Sequence, residues 1–195
     1  AAVTTAITGN GITMKKLLLM GWLGVILSGC ATQIQGPNYQ SVNPSFDLFE
    51  FFDGSVKAWG IVQNRSGELV QRFEVDIDGR VEGNRLILDE IFEYGIGEGV
   101  KQRTWMIEGL PDGSYRGFAH DVLGEASGES FGNAFHWSYR MEIPVGQRTV
   151  EVQFEDWFWA LDDSRILSRS YLQKFGFDVA EVTLLMERDE IKTPE

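Results

Sequence analysis

Phe135-His136-Trp137-Ser138-Tyr139-Arg140-Met141-Glu142-Ile143 decides the fold of this chain. Large apolar residues take the odd positions and polar ones the even, and a period of two puts successive side chains on opposite faces of a sheet. Such a strand buries one face and wets the other. The pattern recurs in Phe73, Val75 and Ile77, which alternate with Arg72, Glu74 and Asp76. It returns in Trp105 and Ile107 with Thr104 and Glu108, and in Val150, Val152 and Phe154 with Glu151, Gln153 and Glu155.

Turn residues punctuate these runs at intervals of roughly 8 to 12 residues, the spacing of an all-β sandwich or barrel. Ser66-Gly67, Asp78-Gly79, Gly83-Asn84, Asp112-Gly113, Gly128 and Val145-Gly146 supply them. The fold class is therefore all-β, an antiparallel meander. A sandwich would leave edge strands open to other chains, whereas a meander of about eight to ten strands that closes into a barrel removes them, so the barrel is preferred. Barrels of this size can enclose a small ligand, as lipocalins do. A membrane-spanning barrel fits less well, because Glu151, Gln153 and Glu155 interleave with a strong apolar face.

One short helix is expected ahead of the sheet. Asn43 serves as its N-cap, Pro44 as its first residue, and Phe46, Phe49 and Phe52 recur at a spacing of three until Gly54 stops it. This phenylalanine stripe would plug one end of the barrel. Between residues 55 and 190 no other stretch has a helix pattern of ordinary length, although residues 162–174 are ambiguous.

The N-terminal region carries an address. Met14, Lys15 and Lys16 precede an apolar run over residues 17–27, and Leu27-Ser28-Gly29-Cys30 then forms a bacterial lipoprotein processing site. Leu27, Ser28 and Gly29 mark the cleavage and Cys30, the only cysteine, is the lipidated residue. The apolar run is too short to cross a bilayer, which takes about 20 residues. Residues 1–13 then read as an upstream extension, 14–29 as the signal peptide, 30–45 as a polar tether containing Pro37 and Pro44, and 46–195 as a single barrel domain. Acyl chains on Cys30 would hold the protein on a membrane without a spanning segment. By similarity to bacterial lipoproteins in general, Ala31 after the cysteine favours the outer membrane and its periplasmic face.

Charge narrows the partners. Seventeen lysines and arginines stand against 29 aspartates and glutamates, a net charge of −12 that becomes −14 once Lys15 and Lys16 leave with the signal. Nucleic acid is excluded as a partner by this balance, since phosphate binding rests on clustered cations. The identity of any protein partner is not legible in the sequence.

Phe46-Asp47-Leu48-Phe49-Glu50-Phe51-Phe52-Asp53-Gly54 with Lys57-Ala58-Trp59-Gly60, and Lys174-Phe175-Gly176-Phe177 with Glu181-Val182-Thr183, together with the lipobox, resemble a family of uncharacterised proteobacterial lipoproteins, domain of unknown function 3833. The resemblance spans the chain after the signal and implies no established activity. The plug helix followed by a first strand with glycine and tryptophan also resembles lipocalin barrels, with the order of those two residues reversed here.

Catalytic and metal-binding patterns are thin. His120 and His136 are the only histidines, and no cluster of His, Cys, Asp or Glu has metal-ligand spacing, so neither a metal nor another cofactor is expected. Gly-x-Ser-x-Gly is absent, and Gly95-Ile96-Gly97-Glu98-Gly99 reads as a hairpin loop with no helix behind it. The aromatic content is more suggestive. Trp157-Phe158-Trp159, with Asp156, Asp162 and Asp163 around it, is either a rim packed against a loop or the mouth of an apolar pocket. The candidate ligand-binding residues are Arg103, Trp105, His136, Trp157, Trp159, Arg165 and Tyr171, with Arg169 beside the last two. An inward arginine would suit a fatty-acid-like anion. The leading expectation is a lipidic or other apolar ligand. An envelope scaffold that binds a protein partner, and an isomerase or hydrolase built on His120 or His136, remain as alternatives.

Overall fold

A computed structural model describes residues 34–189; the lipobox and Cys30 lie outside them. Ten strands run in sequence: β1 (Gly54–Asn64), β2 (Leu69–Glu82), β3 (Arg85–Ile96), β4 (Gln102–Gly109), β5 (Tyr115–Phe118), β6 (Ala126–Phe131), β7 (Ala134–Val145), β8 (Arg148–Ala160), β9 (Arg165–Lys174) and β10 (Phe177–Arg188). Each pairs antiparallel with its neighbours in the chain, and β1 also pairs with β10, from Val56 opposite Arg188 to Asn64 opposite Ala180. The meander is a closed barrel with no free edge. Among the described residues no helix is long and apolar enough to cross a membrane.

Parity along the strands decides what is buried. Phe73, Val75 and Ile77 on β2, Phe135, Trp137, Tyr139 and Met141 on β7, and Val152 and Phe154 on β8 all face inward, as their alternation requires. Residues 162–174 resolve as a turn and strand β9, whose inward positions are Ile166, Ser168, Ser170 and Leu172. Two serines in that inward row are what blurred its period.

The plug helix is real but begins later than expected. It is α1 (Leu48–Phe52), and its N-cap is Asp47 rather than Asn43: the Asp47 carboxylate accepts hydrogen bonds from the amides of Phe49 and Glu50 at 2.8 and 2.9 Å. Phe46 lies ahead of the helix and its amide donates to the Gly132 carbonyl at 2.9 Å. Leu48, Phe51 and Phe52 are buried in the end of the barrel.

Two expected turns are strand interior instead. Gly79 sits in the middle of β2, opposite Gly54 and Leu88, and a β-carbon there would collide with the backbone carbonyl of Phe52. It is glycine because α1 crosses it. The chain reverses at Gly83 and Asn84, four residues beyond Gly79. Gly128 is an inward position of β6, where a β-carbon would come within 2.6 Å of the Trp137 and Phe135 rings, and Gly117 on β5 makes the same room for Trp137. Gly79→Ala should therefore push the helix off its seat, at a cost of about 1–3 kcal/mol. Thermal melting should show this as a fall of several degrees, and an unchanged melting temperature would mean α1 is not held there.

Residues 35–42 are no free tether. Gly36 is buried against the Phe131 ring in a 3-10 turn (Gly36–Tyr39), and the Tyr39 ring lies 6.4 and 6.1 Å from those of Trp157 and Trp159. The folded domain thus starts about ten residues before Phe46.

Candidate functional site

The inward rows do not fill the barrel. A cavity of about 800 Å³ runs along the interior, floored by Leu48 and Phe52 of α1 and walled by Val75, Leu88, Trp105, Trp137 and Phe154 among others. Its far end reaches the rim formed by Val70 and Gln71, the 97–100 loop and the end of β7 at Pro144. Volumes of this order suit small-molecule ligands.

A polar belt crosses this apolar space. Arg103 on β4 faces in beside Trp105's neighbouring inward position, and its guanidinium grips Asp121 through two N–H groups, Nε at 3.0 Å from both carboxylate oxygens and Nη2 at 2.8 Å from Oδ2. Asp121 comes from the connection between β5 and β6, which the bridge from Val122 to Met141 ties to β7. Glu90 is the direct cross-strand partner of Arg103, with Oε2 3.7 Å from Nη1, outside hydrogen-bond distance. The guanidinium also lies 5.6 Å from the Phe92 ring centre and 5.9 Å from that of Trp105. On the opposite wall Asp156 on β8 pairs across to Ser170 on β9, next to Ser168, with Tyr139 of β7 nearby.

Burial controls the charge of this belt. Loss of solvent lifts the Glu90 carboxyl from 4.5 to about 7, against the pull of Arg103. The same loss raises Asp156 from 3.8 to about 6, although the Ser170 and Tyr139 hydroxyls favour its ionised form. Burial likewise holds the Tyr139 phenol well above its ordinary value. Arg103 stays charged, because Glu90 and Asp121 outweigh its own burial. Glu90 Oε2, Asp156 Oδ1 and Ser168 Oγ are buried with no protein partner.

The seven candidate residues divide by parity. Arg103 and Trp105 line the cavity. His136, Trp157, Trp159, Arg165 and Tyr171 stand on the outer wall and do not belong to an interior ligand set, because each alternates with an inward residue: Phe135 and Trp137, Asp156, Phe158 and Ala160, Ile166, and Ser170 and Leu172. Outside, His136 Nε2 meets Glu155 at 2.7 Å and stacks on Trp157 at 4.5 Å, while Arg165 binds Asp162. Trp157 and Trp159 thus form an outer wall covered by the segment that carries Tyr39, while Phe158 between them faces the cavity. His120 is exposed in the β5–β6 connection. Glu90, Asp121, Tyr139, Asp156, Ser168 and Ser170 were not singled out as site residues. Five of them lie in readable rows: Glu90 follows Leu86 and Leu88 in phase, Tyr139 follows Phe135 and Trp137, Asp156 follows Val152 and Phe154, and the two serines lie in phase between Ile166 and Leu172.

The profile of a family described as Protein of unknown function (DUF3833) matches residues 24–188. The chain belongs to that family. No curated protein matches it. Among solved structures, the barrel is similar to the S-type phycobiliprotein lyase CPES from Guillardia theta, with a TM-score of 0.50 and 11% identity over 74% of this chain and 92% of that one. At that identity the likeness concerns the fold, a lipocalin-like barrel, and extends to no residue of the belt.

Proposed function

We propose that this member of the family is a lipid-anchored envelope protein whose barrel binds a small, largely apolar ligand. The cavity carries the proposal: about 800 Å³ of mostly aromatic and aliphatic lining, plugged by α1 at one end. Ten strands that merely formed a scaffold would gain stability by filling that space, since buried voids forfeit packing contacts. The lipobox at Leu27, Ser28, Gly29 and Cys30 supports attachment to a membrane, and Ala31 supports the periplasmic face of the outer membrane.

Protein purified from its own envelope should release one small apolar molecule per chain on organic extraction, with the matching mass shift in native mass spectrometry. Labelled palmitate should be incorporated into the wild type and not into Cys30→Ser. An empty cavity in both ligand measurements would sink the binding reading, and equal labelling would sink the anchor. A partner-binding scaffold has one observation in its favour, the exposed Phe175 and Phe177 at the β9–β10 turn, which are 88% and 65% accessible.

A further inference from the structure

The polar belt defines the chemistry of the ligand, an inference that rests on the cavity being a binding site. Among the described residues lining the cavity, Arg103 is the only cation, against five carboxyls: Glu98 and Glu142 near the rim, and Glu90, Asp121 and Asp156 in the belt. Arg103 has already committed its fork to Asp121. An inward arginine so engaged does not by itself mark an anion site. A carboxylate or phosphate entering the barrel would meet surplus negative charge in a medium that screens it poorly. Two of the three unpartnered belt atoms are carboxylate acceptors in need of donors, Glu90 Oε2 and Asp156 Oδ1, both buried and on the cavity wall; the third, Ser168 Oγ, can donate or accept.

We propose that the cavity takes an elongated apolar molecule bearing a protonated amine, whose N–H groups are received by Glu90 and Asp156 while its hydrocarbon part lies along Trp105, Trp137 and Phe154. Ammonium-to-carboxylate hydrogen bonds are charge-assisted and short, and here they are shielded from water. Uncharged donors of the same shape would bind through the apolar wall alone. Anions would be rejected.

The test compares three probes of equal chain length, dodecylamine, dodecanol and dodecanoate, titrated into the purified protein below their aggregation limits at pH 7.5 and followed calorimetrically. The amine should bind at one site at least tenfold tighter than the alcohol, and dodecanoate more weakly than either. Glu90→Gln and Asp156→Asn, each of which keeps size and removes charge, should each cut the preference for the amine severalfold and leave the alcohol unchanged. Dodecanoate binding as tightly as the amine would overturn the proposal while leaving the cavity reading intact. So would an amine preference that persists in the Glu90→Gln/Asp156→Asn double variant, since the general acidity of the surface would then explain it. If none of the three probes binds, the cavity reading fails and this inference fails with it.

Discussion

Arg103→Leu is expected to lower the stability of the barrel by about 3–5 kcal/mol at pH 8, the cost of leaving buried carboxylates without their cation. For a domain of this size that is a fall of roughly 6–20 °C in melting temperature. The guanidinium is the only counter-charge to Asp121, Glu90 and Asp156 among the described cavity residues, and its side chain is 12% accessible, so solvent cannot take its place. Lost packing on Phe92 and Trp105 adds to the effect. At pH 5, where Glu90 and Asp156 hold protons, the loss should be smaller. Arg103→Leu combined with Asp121→Leu should recover part of it, because the largest unpaired charge is removed together with its partner. Urea denaturation at the two pH values measures all of this. A loss below about 1 kcal/mol at pH 8 would show that the belt is held by other means.

The second large effect is a decline in stability with rising pH across the neutral range. Glu90 moves from 4.5 to about 7 and Asp156 from 3.8 to about 6 on folding, so between these values the native state holds protons that the unfolded chain has released. Stability then falls as pH rises. The contribution is fully present below 4.5 and 3.8 and is lost as pH climbs through about 6 and about 7. At about 1.4 kcal/mol for each pKa unit, the two groups together amount to something on the order of a few kcal/mol. Three carboxylates outside the cavity, Asp89, Glu108 and Asp112, held below their usual range by hydrogen bonds led by Thr104, Arg116 and Ser114, act in the opposite sense. Their stabilisation is present above their unfolded values and lost as pH drops through the lowered ones. Melting temperature should therefore peak in mildly acidic buffer and decline toward pH 8. Self-repulsion of an acidic chain slopes the same way, so the decisive measurement is the difference between proteins. Glu90→Gln should flatten the decline and melt above wild type at pH 8. Parallel curves for variant and wild type would mean that Glu90 is not buried as described.

The belt shows how a site of this kind hides in a sequence. Glu90 and Asp156 each interrupt an inward apolar row, which is visible by counting in twos along β3 and β8. Counting cannot say that they meet. Glu90 faces Arg103 because β3 and β4 pair in one particular register, and a shift of one residue would have turned the whole row outward. Asp121 had no signal of either kind, since it arrives from a connection whose course depends on the bridge at Val122. Trp157 and Trp159 misled for the opposite reason. Their phase with Glu151, Gln153 and Glu155 places them outside, and what makes an outer wall aromatic is a segment more than a hundred residues earlier in the chain, Gly36 to Tyr39, that covers it.

By itself the sequence determined the period of two, the antiparallel meander, the presence of a phenylalanine plug and the face on which most side chains lie. These are local properties, set by the geometry of one extended chain and the transfer of its apolar row out of water. Only the tertiary structure decided that β10 closes on β1, that Gly79 yields to the helix rather than making a turn, and that one arginine and three carboxyls converge in a space left open. Closure, register and cavity volume belong to ten strands packed together, so no single stretch of the chain carries them.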